Sequence, residues 1–301
     1  MLEKLLSDAG VDFKRGVRLS DISSFRIGGE ADYMLFPDTA EKLVSSLRAI
    51  KTCGIPFAVV GNTSNVLFSD DGFGGAVITT KKISDIRFDG KRVFCGGGAM
   101  LPVISRRAAE NSLSGLEFAC GIPATLGGAV FMNAGAHGNE LSDILKKSTV
   151  YDIEKDKIVE LSADELGFSY RHSILADNPN LVCLDATLEL SRGDTDEIKA
   201  KMKEFSDKRR SSQPLDKPSA GSFFKRPEGY FAAKLIDDCG LKGYSVGGAA
   251  VSDKHAGFIV NLGGATCADV LTLAEYVSRR VFDETGIKLE REVRLIPSPK
   301  E

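Results

Sequence analysis

No CxxC pair occurs among the six cysteines, whose nearest two, Cys95 and Cys120, stand 25 residues apart. That spacing excludes a small disulfide framework and leaves buried single thiols as the expectation. Histidine is scarcer: His137, His172 and His255 are the only three, and they are too scattered to give metal-ligand spacing. No apolar run approaches the roughly 20 residues that crossing a membrane takes. The opening Met1-Leu2-Glu3-Lys4-Leu5-Leu6-Ser7-Asp8 lacks the basic start and apolar core of a secretory leader. Neither sign of charge dominates, with 39 Lys plus Arg against 42 Asp plus Glu, whereas phosphate backbones call for a dense basic surface. Both GxGxxG and the Walker phosphate loop are absent, which excludes a standard Rossmann site and a kinase-type loop. A cytoplasmic chain is expected, with no membrane, nucleic-acid or metal partner.

What is present is an ordinary globular composition, 43% hydrophobic and 27% charged over 301 residues, long enough for two or three domains. Asp38-Thr39-Ala40-Glu41 reads as a capping box with Asp38 as the cap, opening a helix that runs to Gly54. Phe57 to Val60 reads as a buried strand, so residues 31–60 form a small strand-helix-strand lobe. From Ala76 to Leu190 the pattern turns to short strands with glycine turns. Val182, Leu184, Ala186, Leu188 and Leu190 alternate as in a half-buried strand. Asp194 caps a charged helix to Arg210, and Pro214 and Pro218 mark an extended linker. Beyond it come a helix over 231–239, a strand over 255–260, a long helix over 266–284 capped by Thr266 and Asp269, and a final strand over 289–295.

Glycine is enriched, 31 residues, and it clusters in Gly61-Asn62-Thr63-Ser64-Asn65, Gly96-Gly97-Gly98 and Gly115 to Gly138. Such loops bring backbone N–H groups together around an anion. Taken singly each is no more than a tight turn; three, with Asn, Ser and Thr interspersed, point to a dinucleotide. Gly243-Tyr244-Ser245-Val246-Gly247 matches the serine-hydrolase elbow, but a poor helix start follows it and the only later histidine, His255, is too near. A chance match is the better reading.

Taken in order, six segments resemble the MurB family, the flavin-dependent UDP-N-acetylenolpyruvoylglucosamine reductases of peptidoglycan synthesis. They are Ser24 to Gly29; Gly61 to Asn65 with Asp70-Asp71-Gly72-Phe73; Gly115 to Gly138; Ser169-Tyr170-Arg171-His172-Ser173; Ala220-Gly221-Ser222-Phe223-Phe224-Lys225; and Leu289 to Leu295. The resemblance implies an α+β architecture built of α/β lobes. This is a two-lobed FAD-binding fold of the MurB/vanillyl-alcohol-oxidase type plus a C-terminal substrate-binding α/β domain. The expected division is residues 1–79 with 287–301 as the first flavin lobe, 80–195 as the second, and 207–286 for substrate. It implies non-covalent FAD, NADPH as co-substrate, UDP-N-acetylenolpyruvoylglucosamine as substrate, and a monomer as the favoured state.

The resemblance also assigns residues. Arg171 would stabilise the charge that develops on the substrate carboxylate, Ser222 would donate the proton, and Glu292 would act as hydrogen-bond donor or through Arg171. Gly61, Asn62, Thr63, Ser64, Asn65, Gly121, Ile122, Pro123, Thr125, Gly128, Asn133, Ala134 and Gly135 would hold FAD. Tyr170, Lys225 and Arg226 would hold substrate. Taken by composition alone, Arg171 reads as a surface arginine, Ser222 as a turn residue, and Glu292 as a partner for Arg294; the motif contexts reverse that. The chain departs from the family at Thr63 and Ala124, where glycine is usual, and at His137, where tyrosine is common. If either of the first two takes a positive φ, the flavin loops must differ locally. The chain resembles the shorter subgroup, which lacks a tyrosine-bearing loop. Two other classes stay open: an FAD-dependent oxidase sharing the flavin lobes, and a colourless serine hydrolase working through Ser245.

Overall fold

The computed structural model describes residues 1–297; the remainder of the expected 287–301 segment lies outside the described residues. The chain divides into two compact units. One comprises Met1–Lys14, Tyr33–Asn62 and Ala76–Arg209, the other Arg15–Asp32, Thr63–Gly75 and Arg210–Glu301.

The first unit holds two cores. In one, the helix Ala40–Cys53 lays Leu43, Val44, Leu47 and Ile50 against Leu35, Ala76 and Ile78. These apolar positions recur every three or four residues, which gives the helix one buried stripe. Its cap is Thr39 rather than the expected Asp38: the Thr39 side chain accepts from Lys42 N at 3.2 Å, and Asp38 instead pairs with the Lys42 ammonium. Gly54 closes it at a φ of +62°. The strand Phe57–Val60 follows and pairs in parallel with residues 76–79. The second core lies on a five-stranded antiparallel sheet in the order Lys157–Ser162, Leu145–Asp152, Leu181–Glu189, Arg92–Gly96, Ile86–Asp89. Helices Leu101–Glu110 and Leu126–Met132 bury Leu101, Ile104, Leu126 and Val130 in that core. The strand Leu181–Glu189 is buried on both faces, since Cys183 and Thr187 are covered as well as Val182 and Leu184. Alternation had suggested one covered face.

The second unit carries a four-stranded antiparallel sheet in the order Ser219–Ser222, Phe258–Asn261, Ala249–Val251, Ser245–Val246. Helix Cys267–Thr285 lies over this core, burying Val270, Leu273, Val277 and Val281. It begins with the expected capping box of Thr266 and Asp269. The Asp70 carboxylate adds to that cap, accepting from Cys267 N at 2.7 Å and Ala268 N at 3.1 Å. The final strand is shorter than expected: only Arg294–Ile296 is regular, paired in parallel with Val66–Phe68. Leu289 and Val293 are nevertheless buried, while Arg291 between them is exposed, so the backbone here does not follow strand alternation. The strand expected from His255 begins at Phe258, since residues 252–257 form a tight turn on the Ser252 hydroxyl.

All six cysteines are free thiols, with Cys95, Cys183 and Cys267 buried. Burial pushes the Cys95 and Cys183 thiols up to about 12. Among the described residues, no helix is long and apolar enough to cross a membrane.

Candidate active site

In the first unit, the glycine-rich loops are laced into one cradle. A Cβ on Gly61 would stand 2.0 Å from Thr125 Oγ1, so only glycine lets the end of the strand Phe57–Val60 approach so closely. Thr125 is fully buried and accepts from Gly128 N at 3.4 Å. Asn62 Nδ2 donates to Pro123 O at 2.8 Å, joining the first loop to the second. Gly127 N donates to Gly97 O at 2.7 Å and Leu126 N to Ala99 O at 2.8 Å. The Gly96–Gly98 run therefore serves as backbone support for residues 121–128. Ile122 and Ala134 pack their side chains on the neighbouring core, which leaves the backbone of that loop as its polar surface.

Asn133 and Arg171 are linked through the same region. Asn133 ends its helix in the left-handed conformation and is fully buried; its Nδ2 donates to Ser169 O at 3.2 Å and its Oδ1 accepts from Ser142 N at 3.0 Å. Ser169 and His172 exchange two backbone hydrogen bonds, 3.2 and 3.1 Å, across a tight turn whose tip is Tyr170 and Arg171. Arg171 takes a φ of +56°, donates to Gly135 O at 3.0 Å, and sets its guanidinium 4.9 Å from the Tyr170 ring centre. A non-glycine residue held in that conformation stores strain, and such strain concentrates at functional sites.

In the second unit, Thr63 settles the question its identity raised. It takes a φ of +56°, which a β-branched residue tolerates poorly. Its hydroxyl compensates, donating to Ile22 O and accepting from Ser24 N, both at 3.1 Å, while Ser24 Oγ donates to Thr63 O at 2.9 Å. Ala124, the other departure, keeps an ordinary φ. Thr63→Val keeps the shape and the strain but loses the hydroxyl, so it should lower stability by about 1–3 kcal/mol. Denaturant unfolding would read this directly, and an unchanged midpoint would mean the hydroxyl carries no such role.

Ser222 and Glu292 are neighbours in this unit. Gly221, at a φ of +78°, sits in a register break between Ser219 and Ser222; a bulge of this kind re-aims the next side chain. Glu292 N donates to Phe223 O at 2.9 Å, and Asn65 Nδ2 donates to Glu292 O at 3.2 Å. Arg294 N returns a bond to Asn65 O at 3.0 Å. Glu292 is thus gripped on both backbone groups, one of them beside Ser222. Lys225 N donates to Glu290 O at 2.8 Å, and its ammonium lies 3.6 Å from the Glu290 carboxylate. Arg226 is exposed and lies with its guanidinium 4.2 Å from the Phe231 ring centre. Ser64 is half-buried, its carbonyl 3.8 Å from a Cβ on Gly221. Ser245 lies in a two-residue strand paired with Ala250, with no helix behind it, so the elbow match is accidental.

Sequence reading missed three features, two in the first unit and one in the second. His137 stacks on Phe205 with ring centres 4.0 Å apart and planes within 2°. Burial foremost, and then the Lys208 and Arg209 charges, hold its pKa below the ordinary histidine value. Arg209 packs its stem on Gly121, and burial lowers its pKa too. Neither Phe205 nor Arg209 differs in pattern from its neighbours on a charged helix, so no signal marked them. The third, Phe231, had been read only as the start of a helix.

These residues fit FAD. Within the first unit the polar set is neutral, Asn62 and the backbone of residues 121–128, and the clash a Cβ on Gly61 would meet at Thr125 shows why these two loops can lie together only with glycine there. Residues 31–162 match the FAD binding domain family. A berberine bridge enzyme variant shares the fold, with a TM-score of 0.51 at 13% identity over 65% of this chain and 44% of that one. The fold and this match define an FAD-binding protein of mixed α/β architecture.

A second set of matches narrows the class. Residues 213–296 match the C-terminal domain of UDP-N-acetylenolpyruvoylglucosamine reductase. The reductase of that name from Caldicellulosiruptor bescii is 46% identical over 98% of this chain and 94% of its own. The crystal structure of the enzyme from Thermus caldophilus superposes with a TM-score of 0.80 at 37% identity, over 95% of this chain and 99% of that one. The chain belongs to the UDP-N-acetylenolpyruvoylglucosamine reductase family.

Proposed function

We propose that the protein reduces UDP-N-acetylenolpyruvoylglucosamine to UDP-N-acetylmuramate at the expense of NADPH, in the cytoplasm, for peptidoglycan precursor synthesis. The observation that carries this reading is near end-to-end identity to reductases of that name, 46% over 98% of the chain. The loop residues named below would hold FAD, whose chemistry there would be hydride transfer between NADPH and the terminal vinyl carbon of the substrate. The remaining chemistry falls to the protein. Hydride addition leaves negative charge on the adjacent carbon, spread into the carboxylate, and the Arg171 guanidinium meets two oxygens on one carbon with its planar fork. Ser222 donates the proton that quenches the carbon; the substrate carbanion is a strong enough base for a hydroxyl held close to it. Glu292, fixed beside Phe223, assists as a hydrogen-bond donor or through Arg171.

The proposed cofactor contacts are Gly61, Asn62, Thr63, Ser64 and Asn65 on one loop and Gly121, Ile122, Pro123, Thr125, Gly128, Asn133, Ala134 and Gly135 on the other. Within these, the Asn133 side chain acts by holding the Arg171 turn. Tyr170, Lys225 and Arg226 are the proposed substrate contacts. The proposed division of labour gives FAD to residues 1–79 with 287–301 and to 80–195, and substrate to 207–286, in a monomer. Incubation with NADPH and the enolpyruvyl substrate under nitrogen should give a product heavier by two hydrogens, with NADPH consumed in equal amount. Oxygen uptake with no such product would instead favour an oxidase of the same fold.

A further inference from the structure

Phe231 is 58% accessible, a large apolar ring left in water with little packing to offset it. The Arg226 guanidinium lies against its ring, the central carbon 4.2 Å from the ring centre. The chain between them is tightly folded: Tyr230 N donates to Pro227 O at 3.1 Å and Gly229 takes a φ of +74°. Both ends of the segment are pinned. Lys225 N is bonded to Glu290 O, and Phe231 O accepts from Lys234 and Leu235 at 3.0 and 3.1 Å as the helix Ala232–Asp238 begins. The backbone that carries both stacked side chains is therefore held at either end.

We propose that Phe231 is a positioning residue, which holds the Arg226 guanidinium flat so that its edge grips an anionic, two-oxygen group of the sugar-nucleotide substrate. Stacking uses the face of a guanidinium, whereas paired oxygens are held by its edge, so the two engagements do not compete. An unstacked arginine keeps its rotamer freedom and loses it only on binding; the ring removes that cost beforehand. This inference rests on the reductase reading, in which Arg226 contacts substrate.

Steady-state and single-turnover measurements on wild type, Phe231→Ala, Phe231→Trp, Arg226→Ala and the double variant test it. Phe231→Ala should raise the KM for UDP-N-acetylenolpyruvoylglucosamine about five-fold, with kcat and the rate of flavin bleaching by NADPH unchanged. Phe231→Trp should restore the wild-type KM. In an Arg226→Ala background, the loss of Phe231 should add nothing. The proposal is overturned by an unchanged KM in Phe231→Ala, by an effect that persists in the Arg226→Ala background, or by loss of flavin and of both half-reactions together. Wild type that fails to turn over the substrate would instead overturn the reductase reading, and this inference with it.

Discussion

Ser222→Ala leaves bleaching of the flavin by NADPH at a near wild-type rate and slows recolouring by the enolpyruvyl substrate about 10²–10⁴-fold. The first half-reaction needs no proton from this hydroxyl; the second ends with a proton on carbon. Losing one hydroxyl should spare the fold, since Gly221 still forms the bulge and Phe223 still bonds Gly257 O and Glu292 N. Stopped-flow spectroscopy separates the two steps. Equal slowing of both, or of neither, would remove Ser222 from the proton-donor role.

Arg171→Ala should cost about 10²–10³-fold in the same second step, the usual loss for one preorganised donor to a developing oxyanion. Arg171→Lys should fall between the two, since it keeps the charge but not the planar fork. Arg171→Ala loses the bond to Gly135 O and with it about 1–3 kcal/mol of stability, but both variants should stay folded. Both keep a residue with a Cβ at the same positive φ, and the Ser169–His172 turn closes through the backbone. The contrast with Ser222→Ala lies in substrate binding: Arg171→Ala should also weaken it, whereas a missing proton donor should not. A variant as fast as wild type in recolouring would show that the carboxylate charge is met elsewhere.

Much of the fold was legible because local chemistry and tertiary structure agree. The capping box of Thr266 and Asp269, the Gly54 stop and the Asp194 cap all stand where side-chain chemistry puts them. The start of the helix Ala40–Cys53 slipped by one residue because Asp38 and Thr39 are both good caps, and Lys42 recruits the aspartate as an ion-pair partner. The last strand was overread because the apolar pair Leu289 and Val293 reports burial, not hydrogen bonding. Among the proposed site residues, the motifs single out Arg171, Ser222 and Glu292, but spacing along a chain carries no information about who holds them. The grip of Asn65 on Glu292 spans 227 residues, and that of Asn133 on Ser169 spans 36. Such links belong to tertiary structure alone. The Thr63 departure is the opposite case. Its identity signalled strain, and the hydroxyl bonds to Ile22 and Ser24 show how the strain is held.

The most direct measurement is an anaerobic titration of the yellow protein in one cuvette. NADPH alone should bleach the flavin, and UDP-N-acetylenolpyruvoylglucosamine added afterwards should restore the colour mole for mole. Colour that returns only when oxygen is admitted, or bleaching that requires both substrates together, would contradict the account.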